Sequence, residues 1–465
     1  MRFQQEWGPR VQSMNQVSSD CQDNLVRILK RAIVDFGMRH IETARGYGCS
    51  ELQLGVALKQ LFQTGVVKRE ELILQTKVGS MASAAEFRTM LEMSFSTLQV
   101  DYVDLFALHG LNMEYHYEWT FGEGREGGNC MDVIKEFVAA GKIRHVGFST
   151  HAPEHLIRRF IETDAFEYVN LHYHYFGSYT TTGVGETKGN LGNLQLLKEK
   201  DMGVFVISPY DKGGKLYEPS NKLRALCLPD MEPMEFGSAW LWNHVTLEGS
   251  PLHTIVVGAA RPADLDQGAV AAYMQGTQPE STLAKVRAVS DRLERAQEEA
   301  LSQDWLATCY TGILKSDVSH HQVEHNQIIW CYNIIKSFGM LQFAKDRYGS
   351  LEGNREKWDY EKSAEDNIEI LKGFGWGYVP GLSLQDGVDY FDDFVDVPEA
   401  NKAKVLEAET FVHKWCKKSG KVTNGENGTH GKDEARVEVN LETPLEWKTA
   451  YAMKPWPDFP DRPRS

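Results

Sequence analysis

Residues 39–51 read RHIETARGYGCSE, and the rest of the fold is organised around this stretch. It begins as a short β-branched strand, passes through a glycine-flanked turn and reaches Ser50, a residue type that caps helices. Glu42 and Tyr47 therefore lie together at the carboxyl end of a predicted strand. The stretch predicts a strand–turn–helix unit that carries an acid and a phenol on its turn.

Strands and helices alternate strictly from this unit onward. Several strands are near-continuous apolar runs, such as Leu72-Ile73-Leu74, which is typical of parallel strands covered on both faces. A helix over Asn24–Phe36 precedes the first of them. The seven predicted strand and helix pairs are Arg39–Ala44 with Leu52–Phe62, Leu72–Val78 with Phe87–Leu98, Tyr102–His109 with Met131–Ala140, Ile143–Thr150 with Glu154–Ile161, Tyr168–His174 with Leu194–Lys200, Val204–Tyr210 with Phe236–Val245, and Thr254–Ala260 with Ala263–Tyr273.

Such alternation suits either a (β/α)8 barrel or a doubly wound sheet. No G-x-G-x-x-G pattern follows the first strand, which weighs against the doubly wound dinucleotide fold. Ionisable residues instead recur at the carboxyl ends of the strands, where a barrel carries its chemistry. The sequence therefore predicts an α/β fold, the (β/α)8 TIM barrel, with a mostly helical C-terminal region.

An eighth strand is expected upstream of the helix over Asn24–Phe36. Arg2-Phe3-Gln4 can supply only its last turn, so the first strand is predicted to be truncated. Either the true start lies upstream of Met1, or the barrel is open and leaves two strand edges unpaired.

The chain is predicted to divide into three parts. Residues 1–278 form the barrel, and residues 279–418 form a helical C-terminal domain with helices over Leu283–Glu299, Val323–Ala344 and Ala403–Lys417. Residues 419–465 are polar and are expected to be a flexible tail.

Composition excludes several classes of protein. The formal net charge of −15 over 465 residues offers no basic stripe for a nucleic acid. The apolar runs all fall short of the ~18 residues that a membrane span needs, so no membrane partner is expected. Seven dispersed cysteines without a C-x-x-C pair indicate reduced thiols and a cytoplasmic location, with no metal site. The oligomeric state is not indicated.

Four residues at three strand ends could act together as a proton donor. Lys77 ends the strand after that of Glu42 and Tyr47, and His109 ends the next. A lysine ammonium can lower the pKa of a nearby tyrosine by ~1–3 units, an acid can hold the lysine charged, and a histidine can polarise a substrate oxygen. Taken alone, Tyr47 would more often be a packing residue and Glu42 could pair with an arginine. A lysine in a barrel mouth is unusual, which favours a functional role for Lys77.

At these residues the sequence resembles the aldo-keto reductase family. The matching segments are GMRHIETARGYG at residues 37–48, LQTKV at 74–78, DYVDL at 101–105 leading to His109-Gly110, and AGKIRHVGFS at 140–149. Their order and spacing agree over roughly residues 21–275. The resemblance implies a (β/α)8 barrel that binds NADP(H) and reduces small-molecule aldehydes or ketones. It also implies that Tyr47 is the general acid, Lys77 its partner, His109 the orienting group, and Glu42 the carboxylate where the family usually has aspartate.

The resemblance also implies a set of cofactor-binding residues. Ser149 and Asn170 would hold the nicotinamide carboxamide. Ser208 and Gly213 belong to a loop that would cover the pyrophosphate, although two glycines there could also be a simple turn. Gly258 and Arg261 would bind the adenosine phosphate, with Arg261 favouring NADP over NAD. Gln267-Gly268 stands where a glutamate–asparagine pair is expected.

The C-terminal part is most similar to a family branch that carries a ferredoxin-like domain. That branch ligates iron–sulfur clusters through the pattern C-x2-C-G-x-C-x3-C-P. Glu369, Lys372, Gly375 and Val379 stand at those cysteine positions here, so no iron–sulfur cluster is expected. The aromatic loop over Gly110–Asn129 contains Tyr117, Trp119 and Phe121, which either contact substrate or simply pack.

Two functions follow as hypotheses. The first is an NADP-dependent reductase of carbonyl compounds. The second is a non-catalytic barrel that serves as a cofactor-binding or assembly module.

Overall fold

Seven parallel strands form the centre of the molecule. The computed structural model describes residue 14 and residues 17–124, 127–176, 190–243, 252–372 and 379–418. The strands pair in chain order into one nearly closed barrel, and within the described ranges the outer strands do not pair with each other. They are β1 His40–Glu42, β2 Ile73–Val78, β3 Val103–Leu108, β4 Ile143–Ser149, β5 Tyr168–Leu171, β6 Gly203–Ile207 and β7 Thr254–Val256.

Helices surround this barrel and confirm the alternation expected from the sequence. Ser18 and Ser83 cap two of them by accepting hydrogen bonds from the backbone amides of Cys21 and Glu86. The helices of the barrel are α1 Ser19–Lys30, α2 Ser50–Gln63, α3 Ala84–Leu98, α4 Glu114–Phe121, α5 Cys130–Ala139, α6 Glu154–Ile161, α7 Leu191–Glu199, α8 Asn221–Cys227, α9 Pro233–Trp242 and α10 Asp266–Thr277.

Two local predictions in the barrel are wrong. Ser50 does not cap α2 but is its first residue, and its buried hydroxyl hydrogen-bonds the Thr43 hydroxyl at 2.8 Å. The segment from Gly110 to Asn129 is not a continuous loop, because α4 forms within it. The proposed first strand at Arg2–Gln4 and the tail at 419–465 lie outside the described residues.

The barrel interior is filled by alternate residues of the strands. Tyr168, Phe205 and Leu105 form a small apolar cluster there. Gly147 makes room for it, since a Cβ at that position would lie 2.6 Å from the Tyr168 ring. Next to this cluster, the Gln75 amide donates to Asn170 Oδ1 at 2.7 Å. The interior is therefore closed by packing and polar pairs, as in other barrels whose side chains fill the centre.

Residues 279–418 form a second group of helices, called the helical region below. Its helices are α11 Pro279–Leu301, α12 Gln303–Thr308, α13 His325–Phe338, α14 Leu341–Arg355, α15 Ala364–Lys372 and α16 Glu399–Cys416. The single helix predicted over Val323–Ala344 is wrong, because Gly339 adopts a left-handed conformation with φ of +69° and ends α13. The region shares one hydrophobic cluster with barrel loops through residues such as Phe176 and Leu216.

Every helix among the described residues is too short or too polar to cross a lipid bilayer.

Glu369 and Lys372 form an exposed ion pair of 2.8 Å on α15, and Val379 is buried. Gly375 falls outside the described residues.

Candidate active site

Successive side chains of a strand point to opposite faces, so every second residue of a barrel strand faces the interior. His40, Gln75 and Ala107 face the interior near the middle of β1, β2 and β3. Two residues further along each chain are Glu42, Lys77 and His109, which must lie on the same side and nearer to the carboxyl ends. The same step leads from Gly147 to Ser149 on β4. Four strands thus bring the predicted residues to one end of the barrel.

Lys77 is enclosed at this end, with only 1% of its side chain exposed. Its ammonium forms an ion pair with Glu42 and donates a hydrogen bond of 2.9 Å to the Thr43 carbonyl. A buried charge is tolerated when it is paired and hydrogen-bonded, and both conditions hold here. The longer side chain of glutamate therefore still reaches the lysine.

Tyr47 lies beside this ion pair on the turn after β1. The Lys77 ammonium is 5.0 Å from the centre of the Tyr47 ring. The His109 ring meets the Tyr47 ring edge to face, with 5.2 Å between centres. The His109 ring also lies close to Gly46, where a Cβ would be at an ordinary van der Waals distance of 3.5 Å from it. A phenol thus lies between an imidazole on one side and a paired ammonium and carboxylate on the other.

These four side chains line one end of a cleft of about 960 Å³. Its walls are built mainly from the loops after the strands, and α1 adds residues such as Asn24. Ser149, Ser208, Gly258 and Arg261, all predicted to bind a cofactor, line the same cleft. Arg261 is 43% exposed, and its guanidinium donates to Asp264 at 2.9 Å.

Asn170 and Gly213 do not line the cleft. Asn170 is fully buried in the polar layer next to Gln75, and its side-chain amide nitrogen has no hydrogen-bond partner within the described ranges. Gly213 sits in a tight turn, where a Cβ would lie 2.0 Å from the Pro209 carbonyl oxygen. Its neighbour Lys212 lines the cleft instead.

Two buried polar atoms bear on whether the cleft suits a nicotinamide dinucleotide. The unpartnered Asn170 amide is a donor that matches a carboxamide oxygen. The Gln267 side-chain oxygen lines the other part of the cleft, and it too lacks a hydrogen-bond partner in the described part of the chain. It is an acceptor that matches an exocyclic amino group. Buried polar atoms of this kind usually find a partner, so the Gln267 oxygen at the cleft wall fits the cofactor, whereas the Asn170 amide lies in the interior beside the cleft.

Sequence reasoning missed His151 as a cleft residue. Its ring packs on His172, with 4.5 Å between centres, and His172 in turn hydrogen-bonds His174 at 3.1 Å between ring nitrogens. Burial lowers the pKa of His172 well below its usual range and lowers the pKa of His174 to about 3. Both rings are therefore neutral at pH 7. The signal in the sequence was the position of His151 two residues after Ser149, at a strand end.

The aromatic residues of α4 mostly pack. Tyr117 and Phe121 contact Phe160 of α6, with ring centres 5.5 Å and 6.5 Å away, and Trp119 stacks near Tyr115. None of the three predicted aromatic residues lines the cleft described above. Tyr117 and Phe121 thus extend the core of the barrel.

Known proteins resemble this chain over its barrel. The sequence profile of the Aldo/keto reductase family matches residues 11–221. Aldo-keto reductase family 4 member C11 of Arabidopsis thaliana is 33% identical over 108 residues, 23% of this chain and 34% of that protein. The NADP-dependent D-sorbitol-6-phosphate dehydrogenase of Malus domestica is 38% identical over 87 residues, 19% of this chain and 27% of that protein.

The chain thus spans about a third of the length of the curated relatives it matches. Among solved structures, the holo form of aldo-keto reductase AKR11C1 from Bacillus halodurans is 19% identical, with a TM-score of 0.45. The alignment covers 58% of this chain and 87% of that one. Over residues 11–221, which include most of the barrel that carries the cleft, the chain matches the aldo-keto reductase family.

Proposed function

We propose that this chain is an NADP-dependent oxidoreductase that reduces aldehyde or ketone carbonyls, with Tyr47 as the general acid. The observation that carries the proposal is the buried Lys77–Glu42 ion pair, whose ammonium lies 5.0 Å from the Tyr47 ring in the wall of a large cleft. Buried ionisable groups that are paired at the wall of a cleft are characteristic of functional sites, which favours a role for this charge in the chemistry of the phenol.

Each residue then has a distinct task. Tyr47 donates its phenolic proton to the carbonyl oxygen as that oxygen gains negative charge. Lys77 stabilises the phenolate that remains, and Glu42 holds the ammonium in place. His109 lies against the Tyr47 ring and orients the carbonyl oxygen toward the phenol.

The hydride would come from C4 of the nicotinamide of bound NADPH. Ser149 at the cleft wall, and Asn170 next to it in the interior, are the groups that would hold the carboxamide. Gly258 leaves open space for a close approach, because a Cβ there would meet nothing within 4 Å. Arg261 is accessible enough to meet a 2′-phosphate, which would favour NADP over NAD. The NADP dependence named for the apple relative agrees with this preference.

The first experiment separates binding from catalysis. NADPH is titrated into the purified full-length chain while tryptophan fluorescence is followed, and loss of NADPH absorbance is then measured with a panel of aldehydes and ketones. Tyr47→Phe should keep NADPH binding and lower kcat by ~10²–10⁴-fold. Tyr360→Phe, at an exposed tyrosine of the helical region, is the matched control and should change neither quantity.

Two outcomes would contradict the proposal. Failure of the wild-type protein to bind NADPH would remove the reductase function altogether. Binding without turnover, unchanged in the Tyr47→Phe variant, would favour a cofactor-binding module instead.

A further inference from the structure

One wall of the cleft is formed by the loop that follows β6, residues 208–220, called the covering loop below. Ser208, Pro209, Tyr210, Asp211 and Lys212 all line the cleft, and the loop leads into α8. The loop after β7 contributes a run of the same length, Val257 to Arg261. The covering loop is therefore a large part of the cleft wall.

The covering loop has a strained backbone. Ser208, at its start, and Lys215, near its middle, both have φ in the left-handed region, at +52° and +53°. Residues other than glycine rarely adopt this backbone conformation, and it persists only where surrounding contacts enforce it. Tight internal turns supply some of these contacts, since the Lys215 amide donates to the Asp211 carbonyl at 2.9 Å.

Further polar contacts come from the junction between α13 and α14. The Ser220 hydroxyl donates to the Phe338 carbonyl at 2.5 Å, and the Lys222 ammonium donates to the Lys336 carbonyl at 2.9 Å. Both acceptors lie at the end of α13, where helix carbonyls need partners from elsewhere. Each bond joins residues more than a hundred positions apart in the chain.

An ion pair holds the middle of the covering loop directly, at Lys215. The Lys215 ammonium is 3.1 Å from the Asp346 carboxylate of α14, and the lysine is only 16% exposed. Glu218, within the loop itself, lies further from the same ammonium, at 3.8 Å. Asp346 is thus the acid of the helical region that fixes the conformation of Lys215.

Apolar contacts complete this attachment. A Cβ at Gly214 would lie 3.0 Å from the Met340 methyl group, so the loop backbone is pressed against the junction. Leu216 is buried in the cluster shared with the helical region. Close by, the Trp330 indole donates to the Phe176 carbonyl at 3.1 Å. The loop is held from outside by both polar and apolar contacts.

We propose that the helical region clamps the covering loop shut and thereby retains the cofactor, with Asp346 as a positioning residue. The proposal rests on the proposed function, because it takes the dinucleotide to be the molecule under the loop. Opening the loop requires release of the contacts at the α13–α14 junction. The helical region therefore controls cofactor exchange without touching the reacting atoms.

The test measures NADPH dissociation by stopped-flow displacement in the full-length chain. Asp346→Asn removes one partly exposed ion pair and should speed dissociation by ~3-fold. Adding Lys222→Met, which removes the hydrogen bond to the α13 carbonyl, should bring the increase to ~10-fold. Asp346→Glu should restore most of the slow rate. Glu399→Gln breaks an exposed ion pair on α16 and is the matched control, which should leave the rate unchanged.

A second measurement distinguishes a positioning role of Asp346 from general damage to the active site. In single turnover from the preformed complex, hydride transfer should stay within ~2-fold of wild type in the Asp346→Asn variant, since the loop contacts no reacting atom. A fall in this rate equal to the change in dissociation would overturn the assignment of Asp346 as a retention residue.

Hydrogen–deuterium exchange of residues 210–216 in the ligand-free chain separates this inference from the proposed function. Faster exchange in the Asp346→Asn variant supports the clamp even if NADPH does not bind, in which case the reductase function alone fails. Unchanged exchange together with an unchanged NADPH dissociation rate overturns the clamp.

Discussion

The barrel mouth and the helical region each bury a cation against carboxylates, but they enclose it differently. In the mouth, Lys77 pairs with Glu42 in the wall of a cleft. In the helical region, His325 is fully buried between Asp393 and Glu409, with contacts of 3.0 Å and 2.5 Å. Lys77 faces a cleft that a ligand can enter. The His325 side chain is fully enclosed by the described residues around it.

The difference separates an enclosed, structural ion cluster from the one that we propose to be catalytic. Burial alone would lower the pKa of His325, but hydrogen bonds and charges from Asp393 and Glu409 outweigh burial and raise it to about 9. The imidazolium therefore satisfies two acids, and the described residues leave its side chain no exposure to solvent. Lys77 has an acid partner and lies 5.0 Å from the centre of the Tyr47 ring, so in the proposed function its charge acts on a phenol that exchanges a proton with the substrate. The two clusters therefore differ in whether a ligand can reach them: the Lys77 cluster opens to the cleft, and the His325 cluster does not.

The largest effect is expected from breaking the pair in the barrel mouth. Lys77→Met should lower kcat by ~10³-fold, since the Tyr47 phenolate loses its stabilising charge. It should also lower the free energy of unfolding by ~3–5 kcal/mol, because Glu42 is left as an uncompensated buried charge. The double variant Lys77→Met/Glu42→Leu should recover stability but not activity, as measured by urea unfolding and aldehyde turnover. Recovery of activity in the double variant would contradict a catalytic role for Lys77.

The corresponding change in the helical region should affect stability alone. His325→Leu leaves two buried carboxylates without their cation, and the free energy of unfolding should fall by ~3–5 kcal/mol. A triple variant that adds Asp393→Asn and Glu409→Gln should regain part of this loss. Hydride transfer in single turnover, measured well below the unfolding transition, should stay near the wild-type rate. A drop as large as that of Lys77→Met would show that the two clusters are not distinct in function.

A smaller effect is expected from pH, and its sign follows from the direction of each shift. The pKa of His325 is raised from 6.5 to about 9, so its contribution to stability is full below pH 6.5 and is lost as the pH rises through 9. The pKa of Asp393 is lowered from 3.8, chiefly by the bonds from His325 against the effect of burial, so its contribution is lost only in acid.

The urea midpoint of the wild-type protein should therefore fall between pH 6.5 and 9.5. The same interval should have little effect on the midpoint of His325→Leu. Parallel slopes in the two proteins would assign the alkaline loss to other groups. Burial also raises the pKa of Glu324, which lies next to His325.

The comparison also marks where sequence reasoning succeeds. The strand and helix alternation was predictable because each unit carries its own local pattern, and Glu42, Tyr47, Lys77 and His109 follow from strand ends together with the family resemblance. The enclosed cluster was not predictable. His325 meets Asp393 and Glu409 at separations of 68 and 84 residues, and only the folded arrangement of α13 and α16 brings them together.

Shorter features of the structure were not predicted from the sequence, each for a reason specific to its segment. α4 was missed because its aromatic side chains gave no amphipathic period, although they pack on Phe160. Gly339 carried a signal that was overlooked, since a glycine followed by a second apolar run is typical of a helix end. The covering loop was noticed for its glycines, but its attachment to Asp346 lies 131 residues away and has no trace in the sequence pattern.

The smallest effect is expected at Arg261, a cation that is neither buried nor sealed. Its ion pair with Asp264 leaves it 43% exposed at the cleft wall, so its removal should cost little stability. Arg261→Ala should instead lower the ratio of NADPH to NADH affinity by ~10-fold, because a 2′-phosphate loses a charged hydrogen bond. Arg88→Ala, at an exposed ion pair with Glu136, is the matched control and should leave the ratio unchanged. Equal weakening of both cofactors in the Arg261→Ala variant would mean that the side chain only shapes the cleft wall. Arg261 would then differ from Lys77 and His325 in its exposure, but it would not recognise the 2′-phosphate of the cofactor.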